Sequence, residues 1–119
     1  MDKAKWEKKI RKSAEDAGTY RPFFDSVIET LADILAKRDD AQEQYEKSGG
    51  KPIVRHTNKS GATNLEQNPA LRLINDYNRD ALAYWRDLGL TPAGLRKIND
   101  KALVKKQKSN LAEALRGLG

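Results

Sequence analysis

Apolar residues recur at helical spacing over most of the chain. Trp6, Ile10, Ala14 and Ala17 mark a short helix over residues 4–17, with Gly18 as its stop. Pro22 suits the first turn of a second helix, predicted from about residue 22 to about residue 47. Its stripe runs Phe23, Val27, Leu31, Ile34, Leu35 and Tyr45, with Phe24 and Ile28 widening the start. The stripe fades after Leu35, where residues 37–40 are all charged. The period then changes. Residues 52–57 are β-branched and extended, Asn58-Lys59-Ser60-Gly61 is turn chemistry, and residues 62–65 return, which predicts a hairpin over 51–65. Asn68 caps a third helix with Pro69 at its first position, followed in phase by Leu71, Ile74, Asn78, Ala81, Leu82, Trp85 and Leu88. Asn78 is the polar break in that stripe. Gly89 ends the helix, and Thr91-Pro92 restarts one through Leu95 and Ile98. Beyond Asn99 lysines dominate until Leu111, Leu115 and Leu118.

The fold class this predicts is mainly α: long antiparallel helices with one inserted β-hairpin. Residues 1–18 form a basic N-terminal helix and residues 19–98 a helical oligomerisation core. Residues 99–119 form a basic tail, expected to be mobile and to become helical on binding. Hydrophobic residues make up 38% of the chain and charged residues 34%. So charged a chain can build only a thin core, and copies packing together would bury more apolar surface. Candidate contacts between copies are Phe23, Val27, Leu31, Ile34, Leu71, Ile74, Leu82 and Trp85. Two strands alone are marginal in water, so neighbouring helices or adjacent hairpins would have to support the hairpin.

Charge sharpens the picture. The net charge is +6, unevenly spread. Residues 1–12 hold six basic and two acidic side chains, whereas residues 13–46 hold three and nine. Residues 47–66 are net +3, residues 67–90 balance, and residues 91–119 hold seven basic and two acidic. Basic ends suit a polyanion, and an acidic middle facing basic ends suits self-association. Lys5, Lys8, Lys9 and Lys12 share one helical face and suit phosphate contacts. Arg96, Lys97, Lys101, Lys105, Lys106 and Lys108 form a second candidate, with the plainer alternative of a solvated basic tail. Arg55 and Lys59 in the hairpin offer a third, since β-ribbons can enter a groove.

The stretch from Asn68 to Ile98, with its Asn-Pro helix start, Tyr77, Trp85 and the Leu88-Gly89-Leu90-Thr91-Pro92 turn, resembles the phage terminase small-subunit family. A long helix ending near Tyr45 and a Gly-rich entry to a hairpin lie upstream, so the resemblance spans roughly residues 20–98. It implies a ring-forming homo-oligomer that recognises double-stranded viral DNA in the host bacterial cytoplasm. It also implies a partner, the terminase large subunit, which holds the ATPase and nuclease. Leu95 standing before Arg96 departs from the family's pattern, in which a small residue or two after Thr-Pro leads to Arg, and Gly94 weakens this first turn by about 1 kcal/mol relative to Ala.

Enzymatic chemistry finds little support. With no cysteine, disulfides, thiolate metal sites and cysteine nucleophiles are excluded. His56 is the single histidine and has no acidic neighbour in sequence to make it a base or ligand. Gly49-Gly50-Lys51 lacks the rest of a phosphate-binding loop and reads as a turn. Asp39, Asp40 and Glu43 read as a solvated helix face before a metal site. No metal or other cofactor is expected, and no membrane, since no apolar run nears the ~20 residues needed to cross one. The charged N-terminal segment lacks a signal core. A helical adaptor that binds only protein partners is the alternative reading.

Overall fold

The computed structural model describes residues 1–117, leaving out the side chains of residues 102–107 and 109. Among these residues the elements run α1 (Lys3–Asp16), a 3-10 turn (Pro22–Phe24), α2 (Asp25–Lys47), β1 (Ile53–Thr57), β2 (Thr63–Gln67), α3 (Pro69–Asp87) and α4 (Pro92–Gly117). α4 continues through Asn99 without a break, where the lysine-rich composition had suggested a separate tail. The molecule is elongated, 86 × 26 × 20 Å.

α2 and α3 lie antiparallel, and α1 folds back on the first half of α2. The core is where the three meet: Trp6 and Ile10 from α1, Ile28, Leu31, Ala32 and Leu35 from α2, Ala81 from α3 and Leu88 at its C-terminal cap. Ile10, Ile28, Leu31, Leu35 and Leu88 are fully buried, each worth about 1.5–3 kcal/mol of transfer free energy. The helical phase differs from the sequence reading at the start of α2. Phe23 falls in the 3-10 turn, out of register with the stripe, and its ring is 73% exposed against the edge of Phe24. Ile28 and Ala32 hold the buried positions instead.

Two junctions fix the ends. At one, Asn68 is buried and works in both directions: its side-chain oxygen caps Ala70 N at 3.0 Å while its amide donates to the Lys51 carbonyl at 3.0 Å. Its backbone N–H donates to the Pro52 carbonyl at 2.8 Å. The hairpin is thereby clamped to the start of α3. At the other, Leu90 N–H donates to the Trp85 carbonyl and Gly89 N–H to that of Arg86, closing α3 in a Schellman turn. Gly89 sits at φ +72°, and a Cβ there would press on Ile98 and Thr19. The Thr19 hydroxyl donates to the Leu88 carbonyl at 2.7 Å, tying the α1–α2 linker to this turn.

Gly94 explains its own departure from helix propensity. It is buried at the crossing of α4 over α3, and a Cβ would collide with the Arg86 carbonyl oxygen. Gly94→Ala raises intrinsic helix propensity by about 1 kcal/mol. It should nonetheless lower stability in urea unfolding by about 1–3 kcal/mol, because backbone must move to admit the methyl. An unchanged or higher midpoint would contradict this crossing.

Candidate nucleic-acid interface

α1 begins at Asp2, whose carboxylate caps it by accepting from Lys5 N–H at 2.8 Å. Its apolar edge, Trp6, Ile10 and Ala14, is buried against α2. That docking divides the basic residues of α1 into two groups. Lys3 and Arg11 flank the buried edge and meet acidic residues of α2. Lys3 Nζ lies 3.0 Å from Glu29, and Arg11 Nε lies 3.4 Å from Asp25, which also accepts from the Tyr20 hydroxyl at 2.8 Å. The hydrogen bond to Glu29 raises the Lys3 pKa above its ordinary value, and the charge of Asp25 does the same for Arg11. Part of the acidic middle is therefore neutralised within the chain.

Lys5, Lys8, Lys9 and Lys12 point the other way and are exposed. Among the described residues none of the four makes an ion pair. Lys9 sits 5.2 Å from the Trp6 ring centroid in a cation–π contact, leaving Lys5, Lys8 and Lys12 unengaged. Lys8 and Lys12 line a shallow groove with Arg11 and Glu15.

A polar knot holds this arrangement. The Trp6 indole N–H donates to Asp39 Oδ2 at 2.7 Å, and Arg38 donates to Asp39 Oδ1 at 3.0 Å. The N-terminal ammonium also reaches Asp39, at 2.7 Å. Arg38 lies 5.4 Å from the Trp6 ring centroid and bonds the Asn78 side chain at 3.3 Å, so α1, α2 and α3 are joined at one point. Burial pushes the Asp39 carboxyl up, but the hydrogen bonds from the ammonium, Trp6 and Arg38 outweigh it and hold the group below the ordinary value. Residues 37–40 read in sequence as a solvated polar break. The signal for their role was Trp6 itself, an indole on a buried edge that needs an acceptor.

The other candidates fall in separate places. Arg96, Lys97 and Lys101 are exposed on the first turns of α4, and Lys97 and Lys101 line a cavity with Arg86, Asp87 and Ile98. Lys108 is exposed, while the side chains of Lys105 and Lys106 lie outside the described residues. The end of α1 meets the start of α4: Ala17 shares a depression with Leu90, Pro92 and Leu95. The two elements thus approach each other where α1 ends and α4 begins. Of the residues read as contacts between copies, Leu31 and Ile74 are buried in this chain's own core. Val27, Ile34, Leu71 and Trp85 are half-buried, and Phe23 and Leu82 are exposed. His56 and Lys51 are exposed, and Glu43 pairs with Lys47 at 2.8 Å. Among the described residues no group of three or more His, Asp or Glu side chains forms a metal-holding cluster, and no helix is long and apolar enough to cross a membrane.

The family model for the small subunit of phage terminase matches residues 3–102, from the first residue of α1 into α4. The chain belongs to the phage terminase small-subunit family. No curated protein and no solved structure matches it. Membership gives the chain a role in phage genome packaging, and terminase small subunits are generally the non-catalytic, DNA-recognising members of that machinery. The match takes in α1, which the resemblance read from the sequence had left outside its span.

The knot makes stability depend on pH with a definite sign. A carboxyl held below its ordinary value stabilises the fold fully above about pH 4 and loses that contribution as pH falls through its lowered value. At neutral pH Asp39→Asn should cost about 1 kcal/mol in urea unfolding, and the gap from the wild type should close on acidification. A gap that stays constant down to about pH 3 would show that Asp39 is not ionised for this purpose.

Proposed function

We propose that this chain recognises double-stranded viral DNA and delivers it to the terminase large subunit, the ATPase and nuclease of packaging, acting in the host bacterial cytoplasm as a ring-forming homo-oligomer. The observation that carries the proposal is the unpaired lysine face of α1 in a chain of this family. Lys5 to Lys12 span seven residues, about 10 Å of helix. Phosphates succeed one another every ~3.4 Å of duplex axis along one strand, so the face matches about three of them. Arg96, Lys97 and Lys101, exposed on α4, offer a second positive surface, with Lys105 the further candidate of that segment. Lysine ammoniums placed this way fix position on a duplex and carry no base information.

The ring is supported by what the core leaves uncovered. Phe23 and Leu82 are 73% and 47% exposed, and Val27, Ile34, Leu71 and Trp85 are half-covered along α2 and α3. A neighbouring copy packed on these residues would bury them and set several α1 faces side by side. The cost of placing like charges together is offset when a polyanion runs across them.

Two measurements test the proposal. Binding to a mixed-sequence duplex, followed by anisotropy against salt, should weaken steeply. Lys5→Ala/Lys8→Ala/Lys12→Ala should lower the salt slope by about 3, roughly 1 per lost phosphate contact, with helix content unchanged. An unaltered slope would remove α1 from the interface, and no binding at low salt would leave the protein-adaptor reading. Light scattering on the wild type should give a closed oligomer of several copies, and Phe23→Ser/Leu82→Ser should reduce its mass. A wild-type monomer would sink the ring.

A further inference from the structure

The lysines of α1 can position a duplex but cannot tell one sequence from another, which leaves recognition itself without an assigned element. We infer that the β-hairpin is the base-reading element: a two-stranded ribbon whose Arg55-bearing face enters the major groove. The inference rests on the DNA-recognition reading above and names the part of the chain that supplies sequence preference.

The strands pair antiparallel with Ile53 opposite Gln67, Arg55 opposite Leu65 and Thr57 opposite Thr63. Residues directly opposite share a face, and alternate residues along a strand do too. These six side chains therefore form one surface, and the Thr57 and Thr63 hydroxyls meet on it at 3.1 Å. All six residues are exposed, Leu65 by 72% and Ile53 by 58%. On the opposite face Val54 alone is half-buried. A ribbon of two strands fits the ~12 Å width of the major groove.

The chemistry of the face matches base edges better than a protein surface. An arginine can take the two acceptors of guanine, a glutamine the donor and acceptor of adenine, and threonine or aliphatic groups the thymine methyl. The face offers Arg55, Gln67, the two threonines, Ile53 and Leu65. A second copy packed over Ile53 and Leu65 would have to place a carboxylate against the Arg55 guanidinium, because burying it unpaired is costly. Charge agrees: residues 47–66 carry four basic and one acidic side chain. Among the described residues Lys51, Arg55 and Lys59 make no ion pair.

Hydrogen bonds brace the ribbon at both of its ends. At its tip the Asn58 side-chain oxygen accepts from Ser60 N at 3.1 Å, Ala62 N at 3.0 Å and the Ser60 hydroxyl at 2.7 Å. At its base Asn68 joins it to α3 through the bonds already described. The α1 knot at Asp39 lies eight residues before the end of α2, about 12 Å along that helix. The lysine-bearing α1 and the ribbon thus attach at different points of the α2–α3 pair.

The test is selection of duplexes from a randomised 30-bp pool by the full chain, run in parallel for the wild type, Arg55→Ala, Arg55→Lys and the α1 triple lysine variant. The wild type should enrich a motif. Arg55→Ala should lose preference at one or more positions of it by roughly 5- to 150-fold, with affinity for the unselected pool within about threefold and the salt slope reduced by no more than about 1. Arg55→Lys should lose most of the same preference, since an ammonium cannot bond both guanine acceptors in the fixed geometry of a guanidinium. The triple lysine variant should weaken all sequences alike and keep the motif. Enrichment of the same motif by Arg55→Ala, or no motif with the wild type despite binding, overturns the assignment of the hairpin and leaves DNA binding standing. Loss of oligomer mass in Arg55→Ala with the motif retained assigns the face to subunit packing and also overturns it. No retention of any duplex by the wild type is the separate failure of the DNA-recognition reading.

Discussion

The structure turns on the docking of α1 against the first half of α2. A helix of fourteen residues in isolation is marginal in water, and this one carries six basic side chains within residues 1–12. Burial of Trp6, Ile10 and Ala14 supplies the stability, and the Trp6–Asp39 bond fixes which way the helix faces. Once the apolar edge is placed, the charges sort themselves. Lys3 and Arg11 meet Glu29 and Asp25, and the remaining lysines are left to solvent along one line.

The same logic extends to both ends of the α2–α3 pair. At one end Thr19, Leu88 and Gly89 bind the α1–α2 linker to the α3–α4 turn, so the end of α1 and the start of α4 are held together. At the other, buried Asn68 joins hairpin and helix with three hydrogen bonds of 2.8–3.0 Å. Neither junction is apolar. Each uses short polar side chains whose partners are backbone groups, which are costly to leave unpaired when buried. The proposed division of labour, with lysines to position DNA and a ribbon to read it, depends on these rigid attachments.

Much of this was legible in the residues. Helical periodicity and the Gly and Pro punctuation placed the first three helices, the start of α4 and the hairpin to within about three residues, because capping and turn chemistry act locally; the run of α4 past Asn99 was not read. β2 runs two residues past the predicted hairpin, to Gln67, since the clamp that ends it is made by Asn68 from the next helix. Phe23 read as part of the α2 stripe because periodicity cannot show that the first turn is 3-10. Gly94 read as a weakness because the close crossing of α4 over α3 is a tertiary fact. The partners of the acidic stretch were likewise hidden. Charge counts gave nine acidic residues in 13–46 but could not say that Asp25, Glu29 and Asp39 face α1 of the same chain. The candidate site fared similarly: the α1 lysine face was readable from spacing, whereas the exposure of the hairpin and its clamp at Asn68 came only from the fold.

Hydrogen exchange of the α1 backbone in the DNA-free wild type tests the docking most directly. With α1 packed as described, the amides around Ile10 and Ala14 should be protected to a degree comparable with those around Leu31 and Leu35 of α2. Exchange there at the rate of an isolated peptide helix would mean that α1 is undocked before DNA arrives, and the ordered lysine face would have no basis.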